Sequence, residues 1–537
     1  MGDTERARMH VRGNPVPVFD GIRALAFIGD LSMGQPTDHS PRVARLACHI
    51  ARAAGLGDDV VHAVQEAGLL RWSGCTANAS GFADVLGDDV LGREAMLAMR
   101  PGWSAPLARH GGAAAAIRPL AEVHCEVSGQ VAAMLRLSGN AQHILRNVFE
   151  AWDGSGQPGG LRGAAVPLGV FVVALAGDLE IYARVYGVSR ARELIRGKAD
   201  AAYPADLADI AMTHAEQWMR ELDDDTSAPE GLPPPPSAPQ AARSAPASTR
   251  SALESTQGVL TPTPSTSQPA PLELIADIID LKLPWMTGYS RAVADAAAAC
   301  ALRLATDEDT LRAVYRAGLV HGIGRAAVPN AIWDTPGRLS APAWEKVRLV
   351  PYWTARAGKQ TGSLADAAEL GSYAYERADG SGYFRAIGAP AVGQSAQILA
   401  ASVAWVALRS PRPWRAALPD DAAAACLRDE ADRGRFDRRI VDALTARSPA
   451  QGIEDAPAAG TPASGTDGVP RADNALLTPR ERDVLRAISR GSTNKEVARL
   501  LALSPSTVRT HVENAFRKLE CSTRAAATLK ASALGLL

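Results

Sequence analysis

Apolar residues recur three and four positions apart in segments such as VARLACHIARAAGL (43–56) and AVYRAGLVHGIG (313–324), with no strand-like alternation. That spacing predicts helices through most of the chain. Two stretches break the pattern. Asp223–Pro271 contains PPPPSAPQ and TPTPSTSQPAP, and Ser448–Ala472 contains APAAGTPASGTDG. Few large apolar residues occur there, so both read as flexible or extended linkers. The expected organisation is a helical block at 15–222, a linker at 223–271, a second helical block at 272–447, a linker at 448–473 and a C-terminal block at 474–537. The predicted fold class is mostly α: two tandem helical bundles followed by a four-helix module.

The first two blocks read as copies. The tetrapeptide DGSG occurs at Asp153–Gly156 and again at Asp379–Gly382, 226 residues later. Upstream, GLLRWSG around Arg71 aligns with GLVHGIG around His321 at an offset of 250, which sets His39 against Tyr289. Downstream, His124 falls on Val350 at the offset of 226. The two offsets place an insertion of 24 residues in the first copy, between Gly74 and His124. Landmarks kept in one order argue for a tandem repeat. In each DGSG loop glycine is expected to supply turn geometry, and aspartate to cap a helix or bond the loop backbone.

The C-terminal block carries dense helix punctuation. Thr478-Pro-Arg-Glu481 and Thr493-Asn-Lys-Glu496 each have the capping-box pattern, the first with proline at the first helical position. Gly491 suits a left-handed stop, Ser504-Pro505 caps a third helix and Thr523 starts a fourth. On the third helix Val508, Val512, Ala515 and Leu519 form the expected buried face, which turns Ser506, Thr507, Arg509, Thr510, Glu513 and Arg517 outward. Two short helices, a tight turn and a basic helix make a helix-turn-helix. Arg509 suits guanine edges or phosphate, Thr507 a thymine methyl or phosphate, and Lys495 and Lys518 phosphate clamping. The alternative for such a module is protein binding.

Charge sharpens this picture. The net charge is −1 overall, yet Thr478–Leu537 holds 11 Lys+Arg against 5 Asp+Glu. That surplus of six leaves −7 on the remainder, and a small basic module on an acidic body suits either a nucleic-acid partner or a solvated basic helix face. The six cysteines are scattered with no C-x-x-C pair, so neither a disulfide framework nor a zinc finger is expected, and a reducing cytoplasm fits. The start MGDTERARMHVRG lacks a signal peptide's apolar run, and the longest apolar stretch, Val166–Ala176, is too short for a bilayer. No membrane partner is expected.

The run LTPRE-x-x-VL, then G-x-TNKE-x-A-x-L, then S-x-x-TV-x-x-H and KL resembles the LuxR-type (GerE-like) DNA-binding domain along nearly all of the last block. The resemblance implies that Ser504–Leu519 is a recognition helix. It implies DNA contacts at Lys495, Thr507, Val508, Arg509, His511 and Lys518. It also implies that about Thr523–Leu534 is a dimerisation helix, with double-stranded DNA and a homodimer on DNA as partners.

The DGSG loops and the GLVHGIGRAAVPNAIWDTPGRLS segment resemble the HD-GYP family of metal phosphohydrolases, whose histidines and aspartates hold two or three metal ions. Matched position by position, the first copy keeps the family's first histidine as His39 and its later single histidine as His124. The His-Asp pair is Arg71-Trp72, the paired histidines are Val148-Phe149, and the late aspartate is Gly177 with Asp178 adjacent. The second copy keeps His321, but the bridging aspartate is Gly322, the lysine is Arg325, and the first histidine is Tyr289. Val350, Ala374-Tyr375 and Val403 fill the other ligand positions.

The expectation is therefore a DNA-binding regulator that is not an enzyme and needs no cofactor. Its catalytic and metal sites are expected to be absent, with His39, His124 and His321 as vestigial ligand positions. The repeats would sense a small-molecule or protein signal. The alternative is a metal-dependent phosphohydrolase or cyclic-dinucleotide phosphodiesterase fused to a DNA-binding domain.

Overall fold

The structure, a computed structural model, describes residues 15–226, 269–389, 391–446 and 476–537, with single positions at 6, 260 and 263. The linker expected at 448–473 and most of that at 223–271 lie outside the described residues. Helix dominates, as the periodicity requires. The first copy comprises α1 (Val18–Ser32), α2 (His39–Ala53), α3 (Asp58–Leu70), α4 (Ala79–Leu86), α5 (Asp89–Leu97), α6 (Ala113–Met134), α7 (Gly139–Arg146), α8 (Leu168–Tyr186), α9 (Val188–Arg196) and α10 (Ala205–Thr226). The second comprises α11 (Glu273–Asp280), α12 (Tyr289–Arg303), α13 (Glu308–Val320), α14 (Asn330–Trp333), α15 (Ala341–Arg348), α16 (Val350–Gln360), α17 (Ala365–Gly371), α18 (Gln394–Arg409), α19 (Asp420–Asp432) and α20 (Arg438–Thr445). The C-terminal module is α21 (Pro479–Ser489), α22 (Asn494–Leu500), α23 (Pro505–Leu519) and α24 (Arg524–Ala533).

The repeat is in register at the level of whole helices. Helices α2 and α12 both have 15 residues, and α3 and α13 both have 13. The members of each pair begin 250 residues apart. The two DGSG loops are also built alike. Asp153 accepts from the Ser155 amide at 2.8 Å, and Asp379 from the Ser381 amide at 2.9 Å. Gly154 and Gly380 hold φ of 82° and 78°, where a side chain would be strained.

Two edges of the first linker differ from expectation. Helix α10 runs on to Thr226. Strand β2 (Pro269–Ala270) pairs antiparallel with β1 (Val16–Pro17), so the chain's two entries into the bundles lie side by side.

The copies share a core. One apolar cluster holds Ile22, Phe27, Val43 and Phe171 of the first copy together with Ile275, Ile278, Val320 and Ile323 of the second. A further cluster around Val293, Ile398 and Val441 fills the rest of the second copy. The insertion foreseen in the first copy supplies α5, since α4 coincides with α14 at the offset of 250, and α5 binds the second copy through charge. Asp89 is fully buried; its carboxylate accepts from Lys282 Nζ at 2.7 Å, Arg93 Nη2 at 3.1 Å and the Asn330 amide at 2.6 Å. Burial by itself would raise the Asp89 carboxyl, but Lys282 and Arg93 outweigh it and hold it below the ordinary value.

In the C-terminal module both capping boxes form, at Thr478/Glu481 and Thr493/Glu496. Ser504 and Thr523 cap α23 and α24. Gly491 takes φ 93° just past α21. Val484, Leu485, Ile488, Val497, Val508, Ala515 and Leu519 make the module's core. Among the described residues, no helix is long and apolar enough to cross a membrane.

Candidate functional site

Each copy carries a buried centre at the end of its second matched helix. In the first, α2 begins with His39 and α3 ends beside Arg71. Arg71 Nη2 lies 2.6 Å from His39 Nε2. A guanidinium can only donate, so Nε2 accepts and the proton sits on Nδ1, which donates to Glu180 Oε2 at 2.5 Å. Burial pushes the His39 imidazole below its ordinary value, in keeping with that neutral tautomer. Burial would raise Glu180, but His39 and Arg184 outweigh it and bring the carboxyl down to about 2. Arg184 and Arg42 complete the shell, with Nε atoms 3.1 and 3.3 Å from Glu180 Oε1.

The second centre reaches the same arrangement from another position. Arg325, four residues after His321, sets its Nη2 2.6 Å from His321 Nε2. His321 Nδ1 donates to the Gly318 carbonyl at 2.7 Å. Arg325 also lies over the Tyr289 ring and donates to the Tyr375 hydroxyl at 3.3 Å. Tyr289 in turn donates to the Val403 carbonyl at 3.1 Å, so the positions of the family's first histidine and late aspartate still touch.

Two glycines make room for these guanidiniums. A Cβ on Gly177 would lie 1.7 Å from Arg71 Nη1, and one on Gly322 would lie 2.7 Å from Arg325 Nη1. These are two positions at which the family resemblance places an aspartate. Where the carboxylate is missing, an arginine fills the space. Asp178 does not substitute for the residue at 177, because it pairs with Lys198 Nζ at 2.9 Å.

His124 stands apart from His39. Its Nε2 is 2.8 Å from the Arg71 carbonyl, and its ring packs against Phe149 and Trp72. Burial drives its imidazole down to about 3. Among the described residues, no group of three or more His, Cys, Asp or Glu could hold a metal ion. The donors at these two centres therefore do not fit the metal cluster that the family resemblance implies.

Sequence reasoning missed one matched pair. Asp30 accepts from the Ser40 amide and hydroxyl at 3.0 and 2.6 Å; Asp280 accepts from those of Ser290 at 2.8 and 2.7 Å. The offset of 250 that relates His39 to Tyr289 also relates these residues, and would have found them. Burial raises Asp30 to about 8 and Asp280 to about 7. A carboxyl so raised holds a proton that the unfolded chain has released, so its stabilisation is lost as pH rises through the folded value. Above about pH 6.5, where histidine is mostly neutral in both states, the unfolding temperature of the paired bundles is expected to fall toward about pH 9. Each carboxyl contributes at most about 1.4 kcal/mol per pH unit. Thermal scans of Asp30→Asn and Asp280→Asn should each show a flatter decline; unchanged slopes would refute this assignment.

The nucleic-acid face is exposed. Ser506, Thr507, Arg509, Thr510, Glu513 and Arg517 all point outward from α23. Arg509 is 76% exposed and pairs with Glu513, its Nε 2.7 Å from Oε1. Lys495 is exposed at the start of α22, and His511 is half-buried. Two expected contacts are placed differently. Val508 is fully buried in the module's core, so it orients the helix and cannot reach a base edge. Lys518 Nζ lies 2.7 Å from Oε2 of Glu481, the acid of the first capping box, and so ties the recognition helix to α21.

These features define two repeated helical bundles joined to a helix-turn-helix module. Comparison with known proteins agrees: residues 273–440 match the HD domain family, and residues 475–531 match the bacterial regulatory proteins of the luxR family. The chain thus carries an HD domain and a LuxR-type DNA-binding domain.

Among curated relatives, 3'3'-cGAMP-specific phosphodiesterase 3 of Vibrio cholerae is 24% identical over 451 residues, covering 78% of this chain and 92% of that protein. The cyclic di-GMP phosphodiesterase response regulator RpfG of Xanthomonas campestris is 30% identical over 176 residues, 32% of this chain and 46% of its own. The transcriptional activator protein CarR of Pectobacterium carotovorum is 48% identical over 63 residues, 12% of this chain and 26% of its own. A crystal structure of the V. cholerae cyclic GMP-AMP phosphodiesterase V-cGAP3 shares the fold, with a TM-score of 0.51 at 23% identity, over 79% of this chain and 96% of that one.

The expectation that the chain is not an enzyme is corrected by these comparisons. The relative that aligns along both bundles is a phosphodiesterase, and the HD match falls in the same region. Lost ligand positions had carried that expectation, and the likeness extends well beyond them.

Proposed function

We propose that this chain is a DNA-binding regulator whose paired HD bundles take a cyclic dinucleotide and whose helix-turn-helix module binds double-stranded DNA as a homodimer. The observation that carries the DNA part is the outward polar face of α23, held on a scaffold of three capped helices. Ser506 and Thr507 begin that face and Arg509 projects from its second turn, which suits entry of the helix's early turns into a major groove. Lys495 and His511 flank it and suit phosphate contacts. The ligand class rests on the names of the relatives aligned with the bundles.

The test of the DNA part uses the full chain and a duplex selected from a random pool. Arg509→Ala and Lys495→Ala are each expected to weaken binding by roughly tenfold and to reduce the salt slope by about one. Unchanged affinity and slope in both variants would refute the assignment of α23 as the reading helix. For the bundles, titration calorimetry with 3',3'-cGAMP should detect binding. Product analysis of the same mixture reads phosphodiester cleavage, which the 451-residue likeness to a phosphodiesterase favours. Absence of both heat and product at millimolar ligand would reject a cyclic dinucleotide.

A further inference from the structure

The DNA-binding module does not stand free of the bundles. Its last helix, α24, has apolar residues on two sides. Ala527 and Ala531 face the module's own core, whereas Ala526 and Leu529 join the core of the paired bundles. All four are fully buried. Polar contacts fix the seat from both copies. Glu126 on α6 accepts from the Ser522 amide and hydroxyl at 2.6 and 2.9 Å, and Gln130 on the same helix lies 3.0 Å from Cys521 Sγ. From the second copy, Thr287 donates to the Ser489 carbonyl at 2.8 Å.

Both contact points lead to the buried centres. Helix α6 also carries His124, two residues before Glu126, and His124 Nε2 lies 2.8 Å from the backbone carbonyl of Arg71, whose guanidinium belongs to the first centre. In the second copy, Asp280 is bonded to Ser290 and lies 3.7 Å from Arg325 Nη1. It also lines a shallow seam with Asp277, Thr287, Thr528 and Ser532. The seat is thus polar along one seam and apolar along the other. It consists of Ala526 and Leu529, with Cys521 and Ala525 packed beside them, and a few hydrogen bonds, the scale of a reversible contact.

We propose that this seat is a latch: docking of α24 across the two copies holds the DNA-binding module in a low-affinity state, and a change at either buried centre releases it. The α24 face that bears Ala526 and Leu529 can be covered either by the bundles or by a second copy of this chain. It cannot be covered by both. Docking therefore competes with pairing of two modules on adjacent half-sites, while leaving the reading face of α23 open. Coupling of this kind needs two states with different contacts, and the seat provides them, on the reading that the module binds DNA.

The experiment compares the full-length chain with Glu126→Lys, which sets an ammonium against the Ser522 donors, and Thr287→Arg, which blocks the seat from the other copy. Hydrogen exchange of the 524–533 amides and affinity for the selected duplex are measured together. Both variants are expected to exchange faster over α24 and to bind the duplex at least about tenfold more tightly, with a mass on DNA of two chains per duplex. Faster exchange with unchanged affinity would overturn the latch, and so would α24 exchange identical in all three proteins. If none of the three binds duplex even at low salt, the DNA-binding reading itself fails, a result distinct from either of those.

Discussion

Gly177→Ala is expected to destabilise the first bundle by about 3 kcal/mol, because the new methyl would lie 1.7 Å from Arg71 Nη1 and 2.6 Å from its Cζ. A long side chain could ordinarily swing aside. Arg71 cannot do so cheaply: it is buried, and its guanidinium is bonded to His39. Displacing it would leave that imidazole and the nearby Glu180 without their neighbour. The cost should largely vanish in an Arg71→Ala background, which empties the space the methyl needs. A double-mutant cycle read by thermal unfolding therefore isolates the contact, since neighbours in one network are not additive. Additive costs would mean that glycine at 177 serves some other purpose. Gly322→Ala should show the same pattern more weakly, as its methyl would approach Arg325 Nη1 only to 2.7 Å.

Asp89→Ala should be more damaging still, at roughly 3–5 kcal/mol, since it strands two buried cations, Lys282 and Arg93. Lys282→Met should cost less, because Asp89 keeps Arg93 and the Asn330 amide. The bundles share a core and this charged tie, so they should unfold together in the parent protein. Asp89→Ala is expected to split that transition into two in calorimetry. A single transition at an unchanged temperature would show that the tie contributes nothing to their union. The depressed Asp89 carboxyl gives the pH sign. Its stabilisation is complete above the unfolded value of 3.8 and is lost as pH falls through the lower folded value.

The helix-turn-helix was legible in detail because its signals are short-range. A threonine and a glutamate three residues apart can satisfy each other's backbone donors wherever the helix sits, and both such boxes formed. The repeat was legible for a related reason: equal helices at a fixed offset leave equal spacing in the chain. Placement of the recognition residues was legible less completely. Outward positions on α23 followed from helical period, whereas Val508 was assigned to DNA by resemblance and lies in the core.

Sequence by itself determined the helices, the caps, the tandem copies and the outward face of α23, since each depends on residues near one another along the chain or on a spacing they repeat. Tertiary structure alone decided that Arg71 and Arg325, which sit at different positions of the repeat, each bring a guanidinium to a buried histidine. It also decided that inserted Asp89 meets Lys282, and that α24 seats against both copies. Those contacts join residues up to 396 positions apart. No local pattern records them, because they depend on how packed faces bring distant side chains into a common, water-excluded space.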